Sequence, residues 1–186
     1  MRIISGVLKG KSINFLKNSI TRPLKDSVKE NIFNILKHSN LFEVNIEKAN
    51  ILDLYSGIGS FGLECISRGA KKVTFIEQDK NASNILKENL SKLSIINQAN
   101  IVNDKLENFF KRKDKEKFDI FFLDPPFSDK GFISNLDLLK KKKMYKKKHI
   151  IIIHREISST DSLDNFIETI LTKKYGRSKI VFGVFN

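Results

Sequence analysis

The chain has 186 residues, with 34 Lys and Arg against 21 Asp and Glu, a net charge of +13 and a pI near 9.7. That length builds a three-layer α/β core but leaves no room for a separate target-recognition domain, and the basic balance points to a polyanionic partner. A single cysteine, Cys65, excludes an intramolecular disulfide, it and the three histidines (His38, His149, His154) form no metal constellation, and no apolar stretch approaches the roughly 20 residues of a membrane span, so a cytoplasmic protein without metal is expected.

No repeat or linker divides the sequence, which predicts one domain over 1–186, with a hairpin at 1–16, a helix at 26–38 and a core at 50–186. Residues 2–16 alternate weakly around Gly6 and Gly10, as a hairpin does. From Asp26, the expected cap with Glu30 nearby, Val28, Ile32, Ile35 and Leu36 recur at helical spacing. Strands are predicted at 51–54, 73–76, 99–102, 118–123 and 150–154. Between and after them come helices at 60–68, 80–93, 104–112, near 131–140, and at 161–172 on the apolar set Leu163, Phe166, Ile167 and Ile170. A last strand covers 179–185. Such alternation predicts an α/β fold with a doubly wound, mainly parallel sheet. Cys65, inside the second helix, reads as a small core residue. The basic stretch Lys140 to Lys143 and Lys146 to Lys148, around Met144 and Tyr145, reads as a solvated helix end meeting the macrodipole in preference to a phosphate track.

The first core strand runs through Asp53 and Tyr55 into a turn where Gly57, Gly59 and Gly62 satisfy G-x-G-x-x-G, a nucleotide-binding pattern that is weak alone. Asp53 discriminates between ligands. A carboxylate at this strand end repels a pyrophosphate, which disfavours a nicotinamide dehydrogenase, and attracts a cationic amino-acid ligand such as S-adenosylmethionine, with its ammonium and sulfonium. Tyr55, Gly57 and Gly59 then shape the turn against the cofactor. Glu77, followed by Gln78, ends the second strand 24 residues after Asp53, where an acid can hold both ribose hydroxyls. Asn103 and Asp104 end the third strand, and Asp104 with Lys105 would border the adenine.

At the fourth strand end stands Asp124-Pro125-Pro126-Phe127, after the apolar run Phe118 to Leu123. Open α/β sheets place ligands at this edge. Neither proline nitrogen donates a hydrogen bond and each ring fixes φ, so the carbonyls of Asp124 and Pro125 are expected to stand rigid and unpaired beside a carboxylate and an aromatic face. That set suits a planar NH₂ group. Acceptors on its hydrogens favour a localised nitrogen lone pair, and a stacked ring holds the plane. Asp124, Pro125, Pro126 and Phe127 are therefore the predicted catalytic residues, with Asp124 or water taking the proton.

With these motifs in place, the chain resembles the Rossmann-like methyltransferases that modify amino nitrogens, and among them the bacterial guanine-N2 methyltransferases of 16S ribosomal RNA. Arg2-Ile3-Ile4-Ser5-Gly6 with Lys9-Gly10-Lys11 is similar to that family's N-terminal hairpin. Arg22-Pro23-Leu24-Lys25-Asp26-Ser27-Val28-Lys29-Glu30-Asn31-Ile32-Phe33-Asn34 is similar to its signature after an Arg-Pro pair, and Tyr175-Gly176 falls in family order. The resemblance implies a seven-stranded sheet whose last strand is antiparallel, and S-adenosylmethionine as cofactor. It also implies a monomer acting on ribosomal RNA within the small subunit or an assembly intermediate, with Arg2, Lys9, Lys11, Arg22, Lys25 and Lys29 over the substrate groove. Two residues depart from the pattern: Leu24 stands where a threonine is usual, and His154 ends the fifth strand where an acid is expected. The rival readings are an amino methyltransferase of DNA adenine or cytosine, or of a protein glutamine amide, and a non-catalytic RNA-binding protein on the same fold.

Overall fold

The computed structural model describes residues 1–15, 24–112, 116–129 and 131–186. Helix α1 (Asp26–His38) precedes an alternating series: β1 (Asn50–Leu54), α2 (Ser60–Ser67), β2 (Lys72–Ile76), α3 (Lys80–Lys92), β3 (Ala99–Val102), α4 (Leu106–Lys111), β4 (Phe118–Leu123), α5 (Phe132–Lys141) and β5 (Tyr145–Glu156). Two further strands, β6 (Ile167–Tyr175) and β7 (Ser178–Phe185), complete the described chain. The sheet has the order β3-β2-β1-β4-β5-β7-β6. The five strands β1 to β5 are mutually parallel, and β7 runs antiparallel to both β5 and β6, as the resemblance implies.

The near-continuous apolar segments explain this centre. A parallel strand buried on both faces needs apolar side chains on both, and Ile150 to Ile153 are fully buried. Alternate residues then separate into two layers. Ile51, Val73, Ile120 and Ile150 pack with Phe33 of α1, Leu63 of α2 and Leu86 of α3. Leu52, Ile76, Phe121 and Ile151 pack with Phe109 of α4 and Leu136 and Leu139 of α5. Leu24, the residue in the threonine position, is buried in the first layer. Strand order reverses between β1 and β4, so the crevice of this sheet opens at their carboxyl ends, where Asp53 and Asp124 lie.

Three expectations need correction. Residues 167–175 form strand β6 instead of the second half of a helix over 161–172. The spacing of Leu163, Phe166, Ile167 and Ile170 imitates a helical period, but the β-branched content of Ile167-Glu168-Thr169-Ile170-Leu171-Thr172 suits a strand. A register shift between Thr169 and Leu171 breaks the alternation that would have marked it. Strand β5 starts at Tyr145, so Lys146 to Lys148 lie in a strand at the edge of the sheet away from the crevice. There Lys146 pairs with Asp119 at 2.7 Å and Lys148 with Glu43 at 2.6 Å. The expected N-terminal hairpin is present as a short one: an antiparallel bridge joins Arg2 to Ser12, and the N–H groups of Ile3 and Ile13 bond the carbonyls of Lys11 and Met1 at 3.0 Å each. It is docked on α2, where the Glu64 carboxylate accepts the N–H groups of Ile4 and Ser5 at 2.8 and 2.9 Å. Finally, Asp26 is the first residue of α1 and makes a 3.6 Å ion pair with Lys29; Lys25 occupies the cap position, without a side-chain bond.

Candidate active site

The turn after β1 is strained where it meets the crevice. Tyr55, Gly57 and Gly59 have φ values of 60, 54 and 83°, a left-handed stretch in which only Tyr55 bears a Cβ. At Gly59 and Gly62 a Cβ would overlap Leu86 and the Phe75 ring respectively, so those glycines let α2 close onto β2 and α3; at Gly57 a Cβ would meet open space. Asp53 lies beneath the turn, 1% exposed, and its Oδ2 accepts the Gly62 N–H at 3.0 Å. Burial pushes its carboxyl well above the usual carboxylate range, and the nearby charges of Asp124 and Glu77 push the same way against that hydrogen bond. With its surface covered, Asp53 can reach a ligand only through its field and through the turn it anchors.

Glu77 reaches back to the same turn: Oε2 accepts the Gly57 N–H and Oε1 the Asp79 N–H, both at 2.7 Å. Burial raises its carboxyl too. Gln78 is exposed. Asn103 ties the ends of β2 and β3 together by donating to the carbonyls of Glu77 and Gln78 at 2.8 and 3.3 Å. Asp104 is engaged at the start of α4, accepting from Lys105 N–H and Asn108 Nδ2 at 2.8 Å each, with Lys105 exposed beside it.

Across the reversal point, Asp124 leaves β4 half-buried, with Oδ1 2.7 Å from Nδ1 of His154. Pro125 is buried, while Pro126 and Phe127 are exposed. The loop is clamped from β5. Arg155, 3% exposed, donates to the carbonyls of Pro126 and Phe127 at 3.1 and 3.2 Å, pairs with Asp161 at 2.7 Å, and lies 4.4 Å over the Phe132 ring. The carbonyls it holds are thus not those of Asp124 and Pro125. Tyr55 links the two halves: its hydroxyl accepts from Asn135 Nδ2 of α5 at 2.9 Å and lies against Asp129, whose N–H is bonded to Pro126 O at 2.8 Å.

Asp53, Tyr55, Gly57, Gly59, Glu77 and the Asp124–Phe127 loop are thus gathered on one edge. The basic set is dispersed. Arg2, Lys9 and Lys11 are exposed on the N-terminal turn, docked toward the later halves of α2 and α3, where Ser67 accepts the Leu8 N–H at 3.0 Å and Lys92 reaches Ser12 at 3.1 Å. Arg22 lies outside the described residues, and Lys25 is exposed at the start of α1. Lys29 corrects the expectation of a phosphate contact: it is 1% exposed, with Nζ 3.2 Å from Ser60 Oγ at the first residue of α2, and burial pulls its ammonium pKa down. Sequence reasoning missed Arg155, Asn135 and Asp129. Arg155 alone left a signal, a lone cation directly after a buried isoleucine run and His154.

This strand order, with acidic strand ends around a glycine turn and Asp-Pro-Pro-Phe across the reversal point, defines a Rossmann-like methyltransferase fold. Residues 1–184 match the family described as conserved hypothetical protein 95. The chain belongs to that family. Ribosomal RNA small subunit methyltransferase D of Haemophilus influenzae is 41% identical over 129 residues, 68% of this chain and 64% of that protein. The protein of the same name from Buchnera aphidicola subsp. Baizongia pistaciae is 31% identical over 185 residues, covering 100% of this chain and 91% of its own. Among solved structures, yhhF from Escherichia coli superposes with a TM-score of 0.84 at 28% identity, covering 100% of this chain and 98% of that one.

Proposed function

We propose that the protein transfers a methyl group from S-adenosylmethionine to the exocyclic N2 of a guanine in small-subunit ribosomal RNA. The observation that carries this reading is the set of three carboxylates, Asp53, Glu77 and Asp124, at the carboxyl ends of the adjacent strands β1, β2 and β4. Such a site disfavours a pyrophosphate and accommodates a cation. The donor set fits the cofactor: Gly57 borders open space, and Glu77 stands beside it on a strand end. When bound, S-adenosylmethionine supplies an electrophilic methyl group on a sulfonium.

The chain's own part is binding and orientation. Asp53 holds the turn and biases the site toward cations, and Glu77 accepts ribose hydroxyls. Asp124 accepts a hydrogen of the amino group, Phe127 stacks on the base, and the loop held by Arg155 keeps both in place. In-line attack forms no bond to the enzyme, and after transfer the proton leaves to Asp124 or water. The base must leave its stack, at a cost of a few kcal/mol that is smallest in an unpaired loop. Family membership and the relatives' names favour ribosomal RNA.

The test supplies labelled S-adenosylmethionine and enzyme to small subunits, to their extracted RNA and to genomic DNA, all from cells lacking the gene. The nucleosides are then identified after digestion. Label in N2-methylguanosine from one position of the small subunit is expected. Label in adenine or cytosine of DNA would establish the rival reading.

A further inference from the structure

We propose that His154 is the positioning residue for both groups that meet the target base, fixing the Asp124 carboxylate with its Nδ1–H and the Phe127 ring by a T-shaped ring contact. This rests on the reading above, in which Asp124 receives the amino group. The imidazole touches both at once: Nδ1 is 2.7 Å from Asp124 Oδ1, and the ring lies 5.6 Å from the Phe127 centroid at 73°. A carboxylate oxygen only accepts, so the facing nitrogen carries the hydrogen. Oδ1 is thereby engaged, and Oδ2 takes no hydrogen bond from any other described residue.

Neither target holds itself. The terminal torsion of an aspartate is broad, so a half-buried carboxylate without a partner has no defined plane, and a misplacement of about 1 Å at the reacting centre costs about a hundredfold in rate. Phe127 is 45% exposed and has little packing to set its ring. His154, in contrast, is 12% exposed, and its backbone is locked inside the β5–β7 ladder opposite Ile180. Its chain neighbours on either side are anchored too: Ile153 is fully buried, and Arg155 grips the carbonyls of Pro126 and Phe127. One rigid strand end therefore supports the loop by its backbone through Arg155 and by its two functional side chains through His154.

The experiment compares the unaltered protein with Asp124→Ala, His154→Leu and His154→Asn in single-turnover methyl transfer to small subunits, with cofactor affinity by calorimetry and histidine ¹⁵N shifts by NMR. His154→Leu is expected to slow transfer by about tenfold or more while leaving cofactor affinity unchanged. His154→Asn should recover most of the rate, because its amide places a donor near the position of Nδ1. In the unaltered protein His154 should carry its hydrogen on Nδ1, a preference lost in Asp124→Ala. If Asp124→Ala transfers at the normal rate, the amino-group reading itself fails. If Asp124→Ala is slow but His154→Leu is near normal, or the Leu and Asn variants are equally slow, only the positioning role is overturned. A His154 ring with its hydrogen on Nε2 and none on Nδ1 in the unaltered protein overturns it as well, and that spectrum decides the matter should His154→Leu not fold.

Discussion

The glycine turn after β1 is held mostly by near neighbours in the chain: Gly62 bonds Asp53 nine positions away, and Gly57 bonds Glu77 twenty positions away. The Asp124–Phe127 loop across the crevice takes its support from residues about thirty positions later, His154 at 30, and Arg155 at 29 and 28. The half proposed to hold the cofactor is thus a local supersecondary device, whereas the half proposed to meet the base is shaped by a distant strand. The glycine hydrogen bonds of the first lie within its own βαβ unit, although Tyr55, through Asn135, ties it to α5 as well. The second can be loosened from β5 without touching the cofactor.

The largest expected effect breaks the local half. Gly62→Ala places a methyl group against Phe75 and Val73 in a closed layer, where overpacking costs about 1–3 kcal/mol; cofactor binding and melting temperature should fall together. Next, Arg155→Met should loosen the loop alone, slowing transfer about tenfold while calorimetry shows cofactor affinity retained. It also leaves the half-buried Asp161 without its cation, so some loss of melting temperature is expected.

Asp53→Asn sharpens the comparison in the other direction. The amide oxygen can still accept the Gly62 N–H, but a fully buried, raised carboxyl is removed, so the melting temperature should hold or rise while cofactor affinity falls about tenfold. A variant with unchanged affinity would mean that the charge of Asp53 is not used.

The smallest effects are in pH. Glu77 is raised by burial, so its contribution to folding is full below the ordinary glutamate value and is lost as pH rises through its folded value. Ribose hydroxyls favour the ionised form, so cofactor affinity should be flat above that folded value and fall below it, beginning at higher pH than for an ordinary glutamate. His149 behaves oppositely. Burial lowers it, and its neutral ring bridges Lys146 O at 2.8 Å and Phe185 N–H at 2.9 Å. Its contribution is present above about pH 6.5, the ordinary histidine value, and is lost as pH falls through the lowered value. Urea melts across this range should show that loss in the unaltered protein and a smaller one in His149→Gln.

The same contrast governs what the sequence could reveal. The glycine turn, Asp53, Glu77 and the apolar strands were legible because their partners lie within one repeating pattern, and period and spacing report short-range order. Strand β6 was not, since its register shift erased the alternation, and the resemblance implied a seventh strand that the periodicity did not locate. Asp-Pro-Pro-Phe was legible as a motif, but its support by His154 and Arg155 depends on β5 lying beside β4, which only the assembled sheet decides. Lys29 shows the reverse error: a cation in a basic stretch reads as surface, yet it is buried against Ser60 because its position on α1 faces α2.

The most direct test of a crevice in two separable halves measures cofactor affinity and single-turnover transfer side by side in Glu77→Ala and Asp124→Ala. Glu77→Ala is expected to weaken S-adenosylmethionine binding yet transfer at a near-normal rate once saturated. Asp124→Ala is expected to bind the cofactor normally and transfer about a hundredfold more slowly. Loss of both properties in both variants would contradict that separation.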